Sequence, residues 1–253
     1  MGGDDAAVYQ VLRPGVSPHE HEPTPADLDA VAGAQVVIHN GLDLETFWDD
    51  LVEAGDPQGI VVDASDGVEV LDGDEEEADP HIWHDPIRAK TMVANLTEAL
   101  VQADPEQAQG YRDRASAYVV ELDHLDADIA RQLSALPSDK IVTNHDAFGY
   151  YVDRYGLDFV GAVIPSFDST AELSVDDVQR IVALIQAEDV RAVFSESDLP
   201  PKTAEAIGRE AGVAVVAGED ALYGDSLGLP GSGAETYLDM MRHNTEVIVE
   251  HLG

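Results

Sequence analysis

The chain has 253 residues, 44 % of them hydrophobic, which is enough for a sizeable buried core and excludes a disordered polymer. It carries 51 acidic residues against 13 lysines and arginines, and the net charge of −38 repels nucleic-acid phosphates and anionic membranes while concentrating cations near the surface. Acid is spread along the whole chain, and Lys90, Lys140 and Lys202 are the only lysines, so the surface reads as an adaptation to high salt, where self-repulsion is screened.

Cysteine is absent, so thiolate metal sites, disulfides and thiol catalysis are excluded. No apolar run approaches the ~20 residues of a membrane span. The opening residues are polar and acidic and do not form a secretory signal; any export segment is expected upstream. No serine elbow, phosphate loop or dinucleotide fingerprint is present.

Strand and helix signals alternate, which predicts an α/β fold with mostly parallel sheets. Residues 8–12 read as a strand, and Thr24-Pro25 as the cap and first residue of a short helix. Residues 35–39 and 59–63 read as strands flanking an amphipathic helix over 44–54. An acidic, Gly-containing loop follows over 66–79, and Asp85-Pro86 starts a helix that runs to 103. Tyr111, Ala115, Tyr118, Leu122, Leu125, Ile129, Leu133 and Leu136 then form one helical stripe. A helix over 105–136 would be roughly 48 Å long, enough to link a lobe over 1–104 to a second over 137–253. The second half continues with strands at 140–143, 159–164, 190–194 and 213–216. Helices are expected at 147–155, 175–188, 202–211 and 234–251, and a Gly-rich loop over 224–233.

Ligands of open parallel sheets collect at the carboxyl ends of strands, and histidines fall at such places. His19 and His21 lie in a proline-stiffened turn after the first strand. His81 is bracketed by Asp-Pro steps, with Trp83 expected to pack beneath it. His145 follows a strand by two residues; a helix starting beside it would keep its imidazole neutral, with Asp146 as cap or supporting partner. Two carboxylates compete as the oxygen ligand, Asp225 in the Gly-rich loop and Glu196 at a strand end, and spacing does not choose between them. Three imidazoles with one carboxylate would make a closed four-coordinate site for a divalent transition metal, zinc before manganese. His84 is expected on the surface; His39, His124, His243 and His251 read as structural or solvated.

Taken together, six segments in order resemble the metal-binding solute receptors of zinc and manganese ABC transporters. They are Pro18-His19-Glu20-His21-Glu22-Pro23-Thr24-Pro25, Val37-Ile38-His39-Asn40-Gly41-Leu42-Asp43-Leu44-Glu45, Asp79-Pro80-His81-Ile82-Trp83, Thr143-Asn144-His145-Asp146-Ala147-Phe148-Gly149-Tyr150, Phe194-Ser195-Glu196 and Tyr237-Leu238-Asp239-Met240-Met241-Arg242-His243-Asn244. The resemblance implies metal ligands at His19, His81, His145 and Asp225. It implies two α/β lobes joined by a long backbone helix, with the metal in the cleft between them. It further implies a monomer outside the cell, held by an N-terminal lipid anchor, that carries zinc or manganese to a membrane ABC permease without chemistry of its own. The family usually has another strand and helix before the first histidine, and some zinc members have a His-rich loop where this chain has Asp72, Asp74, Glu75, Glu76 and Glu77. Two other classes fit the same histidines: a zinc-dependent hydrolase using His19 and His21 with Glu20 or Glu196 as base, and an adhesion protein with a structural metal.

Overall fold

The structure, a computed structural model, describes residues 1–71 and 78–253; the acidic run at 72–77 lies outside the described residues. Contacts divide the chain into two compact units. Unit 1 comprises Met1–Arg13 and Glu20–Asp126, and unit 2 comprises Pro14–His19 and Ala127–Gly253. The chain is α/β, and among the described residues the pairings of the named strands are all parallel. Among the described residues no helix is long and apolar enough to cross a membrane.

In unit 1, helix α1 (Pro25–Gly33) starts as the sequence predicts: Thr24 Oγ1 accepts a hydrogen bond from the Asp27 amide and the Asp27 carboxylate accepts one from the Thr24 amide, with Pro25 at the first helical position. Strands β1 (Val36–His39) and β2 (Ile60–Asp63) pair in register around helix α2 (Trp48–Gly55). Val31, Val37 and Leu51 form a small core there. Helix α2 starts four residues later than expected, after a turn in which Leu42 and Asp43 adopt left-handed backbone conformations. Residues 8–12 do not form a strand. Val8 is 86 % exposed, and the segment is held by side chains instead: the Tyr9 hydroxyl donates to Asp27, and Val11 packs on the core. Alternating apolar residues predict a strand only where the backbone finds a ladder, and among the described residues β1 pairs only with β2. Helix α3 (Pro86–Ala103) is capped by Asp85, whose carboxylate accepts from the Ile87 amide.

The predicted long helix is α4 (Ala108–Leu133), preceded by a single 3₁₀ turn at Pro105–Gln107. Its stripe residues Tyr111, Ala115, Leu122, Leu125, Ile129 and Leu133 are all buried, and the chain passes from unit 1 to unit 2 within it.

Unit 2 is built on a four-stranded sheet in the order β4-β3-β5-β6, with β3 Lys140–His145, β4 Asp158–Ile164, β5 Ala192–Phe194 and β6 Ala214–Val216. Helices α5 (Gly149–Tyr155), α6 (Val175–Ala187), α7 (Lys202–Ala211) and α8 (Tyr237–Leu252) complete it. Val142, Val163, Val193, Ile181, Ile185 and Ile207 form its apolar core. The chain runs from β3 to β4 on one side and returns to place β5 on the other. The gap between the carboxyl ends of β3 and β5 is therefore a topological switch point, where such sheets bind ligands.

Gly208 shows how tightly α7 packs on β6: a Cβ there would lie 2.3 Å from Val215 Cγ2. In a free helix Gly→Ala stabilises by ~1 kcal/mol. Here overpacking outweighs that gain, and Gly208→Ala is expected to destabilise the metal-free protein by about 1–3 kcal/mol in denaturant unfolding. A gain in stability would show that α7 does not sit this close to the sheet.

Candidate metal centre

Three of the predicted residues meet in unit 2. His145 is the last residue of β3, with Glu196 just beyond β5 and Asp225 in the loop after β6. His19 reaches them because Pro14–His19 packs with this unit: the Gly15 amide donates to Ser226 Oγ at 2.5 Å, and Ser17 Oγ lies 3.2 Å from Ser169 Oγ and 3.5 Å from Asp225 Oδ2. Asp225 Oδ2 is 3.5 Å from His19 Nε2 and 3.4 Å from His145 Nε2. The His145 and Asp225 side chains are fully buried and that of His19 is 4 % exposed.

These separations are long for charge-assisted hydrogen bonds. They match the edge of a coordination tetrahedron: two donors each ~2.1 Å from a zinc-like ion stand about 3.4 Å apart. His145, His19 and Asp225 thus offer two nitrogens and one oxygen to a shared cation.

Glu196 orients His145 and is not itself placed as a ligand. Its Oε1 accepts from the His145 amide at 2.8 Å, and its Oε2 lies 2.6 Å from His145 Nδ1, which leaves Nε2 facing Asp225. Gly224 permits this approach, since a Cβ at that position would lie 2.2 Å from Glu196 Oε2 and 3.3 Å from His145 Cε1. The loop carrying Asp225 is fixed by buried Asn244 of α8, which accepts from the Tyr223 amide and donates to its carbonyl, both at 2.8 Å.

The expectation of a helix N-terminus beside His145 is overturned. Helix α5 starts only at Gly149 with no side-chain cap, and the Asp146 amide donates to the Ser166 carbonyl. The helix therefore gives no reason for a neutral imidazole at His145. Burial pushes His145 down, but the charges of Glu196 and Asp225 outweigh burial and hold it well above the ordinary imidazole value. Asp198, two residues past Glu196, is pushed up to about 7 by burial and then by the charges of Asp225 and Glu196.

His81 lies in unit 1, fully buried. Asp79 Oδ1 accepts from its amide at 2.9 Å and lies 2.7 Å from its Nδ1, the same arrangement of a carboxylate against amide and Nδ1. The Trp83 ring packs edge-on, 5.3 Å away between centroids, and the Asn40 amide nitrogen holds the Pro80 carbonyl at 2.9 Å. His84 is fully buried, which corrects the expectation of a surface residue: it closes the 3₁₀ turn Ile82–His84 ahead of α3, and that turn faces inward. His21 has partners of its own in unit 1, 4.0 Å from Asp27 Oδ2 and edge-on to Phe47. His39 stacks on Trp48 with 4.0 Å between centroids, His243 Nε2 lies 3.0 Å from the Ala221 carbonyl, His251 packs against Phe194, and His124 is exposed. Sequence reasoning missed the roles of Asp79, Ser17 and Asn244; the Asp-Pro-His spacing was the one local signal, for Asp79.

The profile described as "ZnuA: Zinc-uptake complex component A periplasmic" matches residues 1–251. The manganese-binding lipoprotein MntA of Halalkalibacterium halodurans is 35 % identical over all of this chain and 83 % of that protein. The zinc-binding protein TroA of Treponema pallidum is 33 % identical over 98 % of this chain and 82 % of its own length. The solved structure of the periplasmic zinc-binding protein TroA from Treponema pallidum superposes with a TM-score of 0.92 at 30 % identity, covering 100 % of this chain and 93 % of that one. A match to all but the last two residues, together with relatives above 30 % identity over nearly the whole chain, places this protein in the ZnuA family of periplasmic metal-uptake components.

Proposed function

We propose that His19, His81, His145 and Asp225 bind one divalent transition-metal ion as cargo, and that the protein hands it to a membrane ABC permease. The observation that carries this reading is the spacing of two imidazole nitrogens, 3.4 and 3.5 Å from one buried carboxylate oxygen. His81, braced by Asp79 as His145 is by Glu196, is the fourth donor. Three imidazoles and one carboxylate suit zinc first and manganese next. With four protein donors a tetrahedral ion keeps no open position for substrate, which sets this site apart from a zinc hydrolase. The receptor works outside the cytoplasm as a monomer held by a lipid anchor; the anchor is supported by the lipoprotein names of several relatives.

Calorimetry of metal-stripped protein with zinc is expected to give one ion per chain. His145→Ala or His81→Ala should each weaken binding by at least roughly 100-fold, because a donor is lost from a set of four. Unchanged stoichiometry and affinity in either variant would remove that residue from the site.

Protons compete for the same nitrogens, so affinity falls as pH falls. Because Glu196 and Asp225 hold His145 well above its ordinary value, the decline should begin above the ~6.5 of a free imidazole and continue down to about pH 5. A flat response from about pH 8 to about pH 5 would argue against imidazole ligands.

A further inference from the structure

We propose that helix α8 governs how tightly the cargo is held: Asn244 is the positioning residue that keeps the Asp225 carboxylate on the ion, and His243 supports it. The proposal rests on the four-residue reading above and extends it to a helix that supplies no ligand.

Asp225 lies two residues past a short strip, Ala221-Leu222-Tyr223, whose backbone polar groups are all engaged. The Ala221 amide donates to the Gly218 carbonyl at 3.2 Å. On one side the strip pairs with the segment that carries Glu196: the Leu222 amide donates to the Ser195 carbonyl at 2.9 Å, and the Ser197 amide donates to the Leu222 carbonyl at 2.8 Å. On the other side two consecutive residues of α8 stand where a neighbouring strand would. His243 Nε2 donates to the Ala221 carbonyl at 3.0 Å, and the Asn244 side chain accepts from the Tyr223 amide and donates to the Tyr223 carbonyl, both at 2.8 Å.

The choice of asparagine is informative. Asn244 is fully buried inside a helix, where asparagine is a weak helix former and its amide is costly unless both ends are satisfied. Packing alone would favour an apolar residue. Aspartate lacks the donor that Tyr223 requires, and leucine lacks donor and acceptor alike. Little slack separates Tyr223 from the carboxylate, because Gly224 is closed in by Glu196, with a Cβ there only 2.2 Å from Oε2. A shift of the strip against α8 therefore reaches Asp225, which faces His19 and His145 at 3.5 and 3.4 Å. The His145 ring, braced by Glu196 Oε2 at 2.6 Å, keeps its place. Loosening α8 withdraws the carboxylate and leaves the imidazoles.

The test measures zinc affinity of the metal-stripped full chain by competition with a chelator, and zinc loss into excess chelator. It compares the wild type, Asn244→Asp, Asn244→Leu and His243→Phe, each alone and combined with Asp225→Ala or with His81→Ala. Both Asn244 substitutions should weaken zinc binding and speed its loss roughly tenfold. His243→Phe, which keeps a ring against Tyr223, should have a smaller effect in the same direction. Because Asn244 acts through Asp225, the loss should vanish in the Asp225→Ala background and persist in full in the His81→Ala background. A general loss of stability would weaken both backgrounds alike. Equal losses in the two backgrounds, or folded Asn244 variants that hold zinc as tightly as the wild type, would overturn the proposal. Where the Asn244 variants do not fold, the same cycle on His243→Phe decides by the same criteria. A wild type that binds no zinc would end the four-residue reading, and this inference with it.

Discussion

Asp225 Oδ2 faces two imidazole nitrogens at 3.4 and 3.5 Å in surroundings closed to solvent. A carboxylate oxygen and nitrogens that carry lone pairs stay this close in a low-dielectric site only around positive charge. In the metal-free protein protons can supply that charge, which is why His145 is held well above its ordinary value despite full burial. On the proposed reading a divalent ion supplies it better, with two charges at one point. Uptake of the ion is therefore an exchange for protons.

The fold spends most of its local order on aiming donors. The same device appears once in each unit: a carboxylate that takes both the backbone amide and Nδ1 of one histidine. Asp79 does this for His81 from two residues away, within a single turn. Glu196 does it for His145 from the neighbouring strand of the sheet. Each brace fixes a ring in two places, so little rotamer entropy remains to be lost on binding. The loop of Asp225 is pinned at Tyr223 by Asn244 and kept slim at Gly224. The strap carrying His19 is tied to the same loop through Gly15 and Ser226.

Most of the architecture was legible because it rests on local signals. Thr24 with Asp27, Asp85 with Pro86, and the stripe from Tyr111 to Leu133 announce their helices through caps and periodicity, and the alternating strands announce a parallel sheet. What escaped depended on partners distant in sequence or on backbone geometry. Residues 8–12 carry a strand pattern but find no ladder, and the left-handed turn at Leu42 and Asp43 is not advertised by their side chains. His84 looked solvated because its neighbours are polar, yet its turn faces inward. Glu196 and Asp225 looked interchangeable as carboxylates near strand ends. Only the side chains separate them, one gripping Nδ1 of His145 and the other facing Nε2.

X-ray absorption at the zinc edge, on protein loaded with one ion per chain, tests the central claim most directly. With a net charge of −38 the surface offers many weak carboxylate sites, so the first coordination sphere decides between them and the buried centre. The account predicts three imidazole nitrogens and one carboxylate oxygen at about 2.0–2.1 Å, with one imidazole lost in His81→Ala. A sphere made only of oxygen, or an imidazole count unaffected by that substitution, would contradict it.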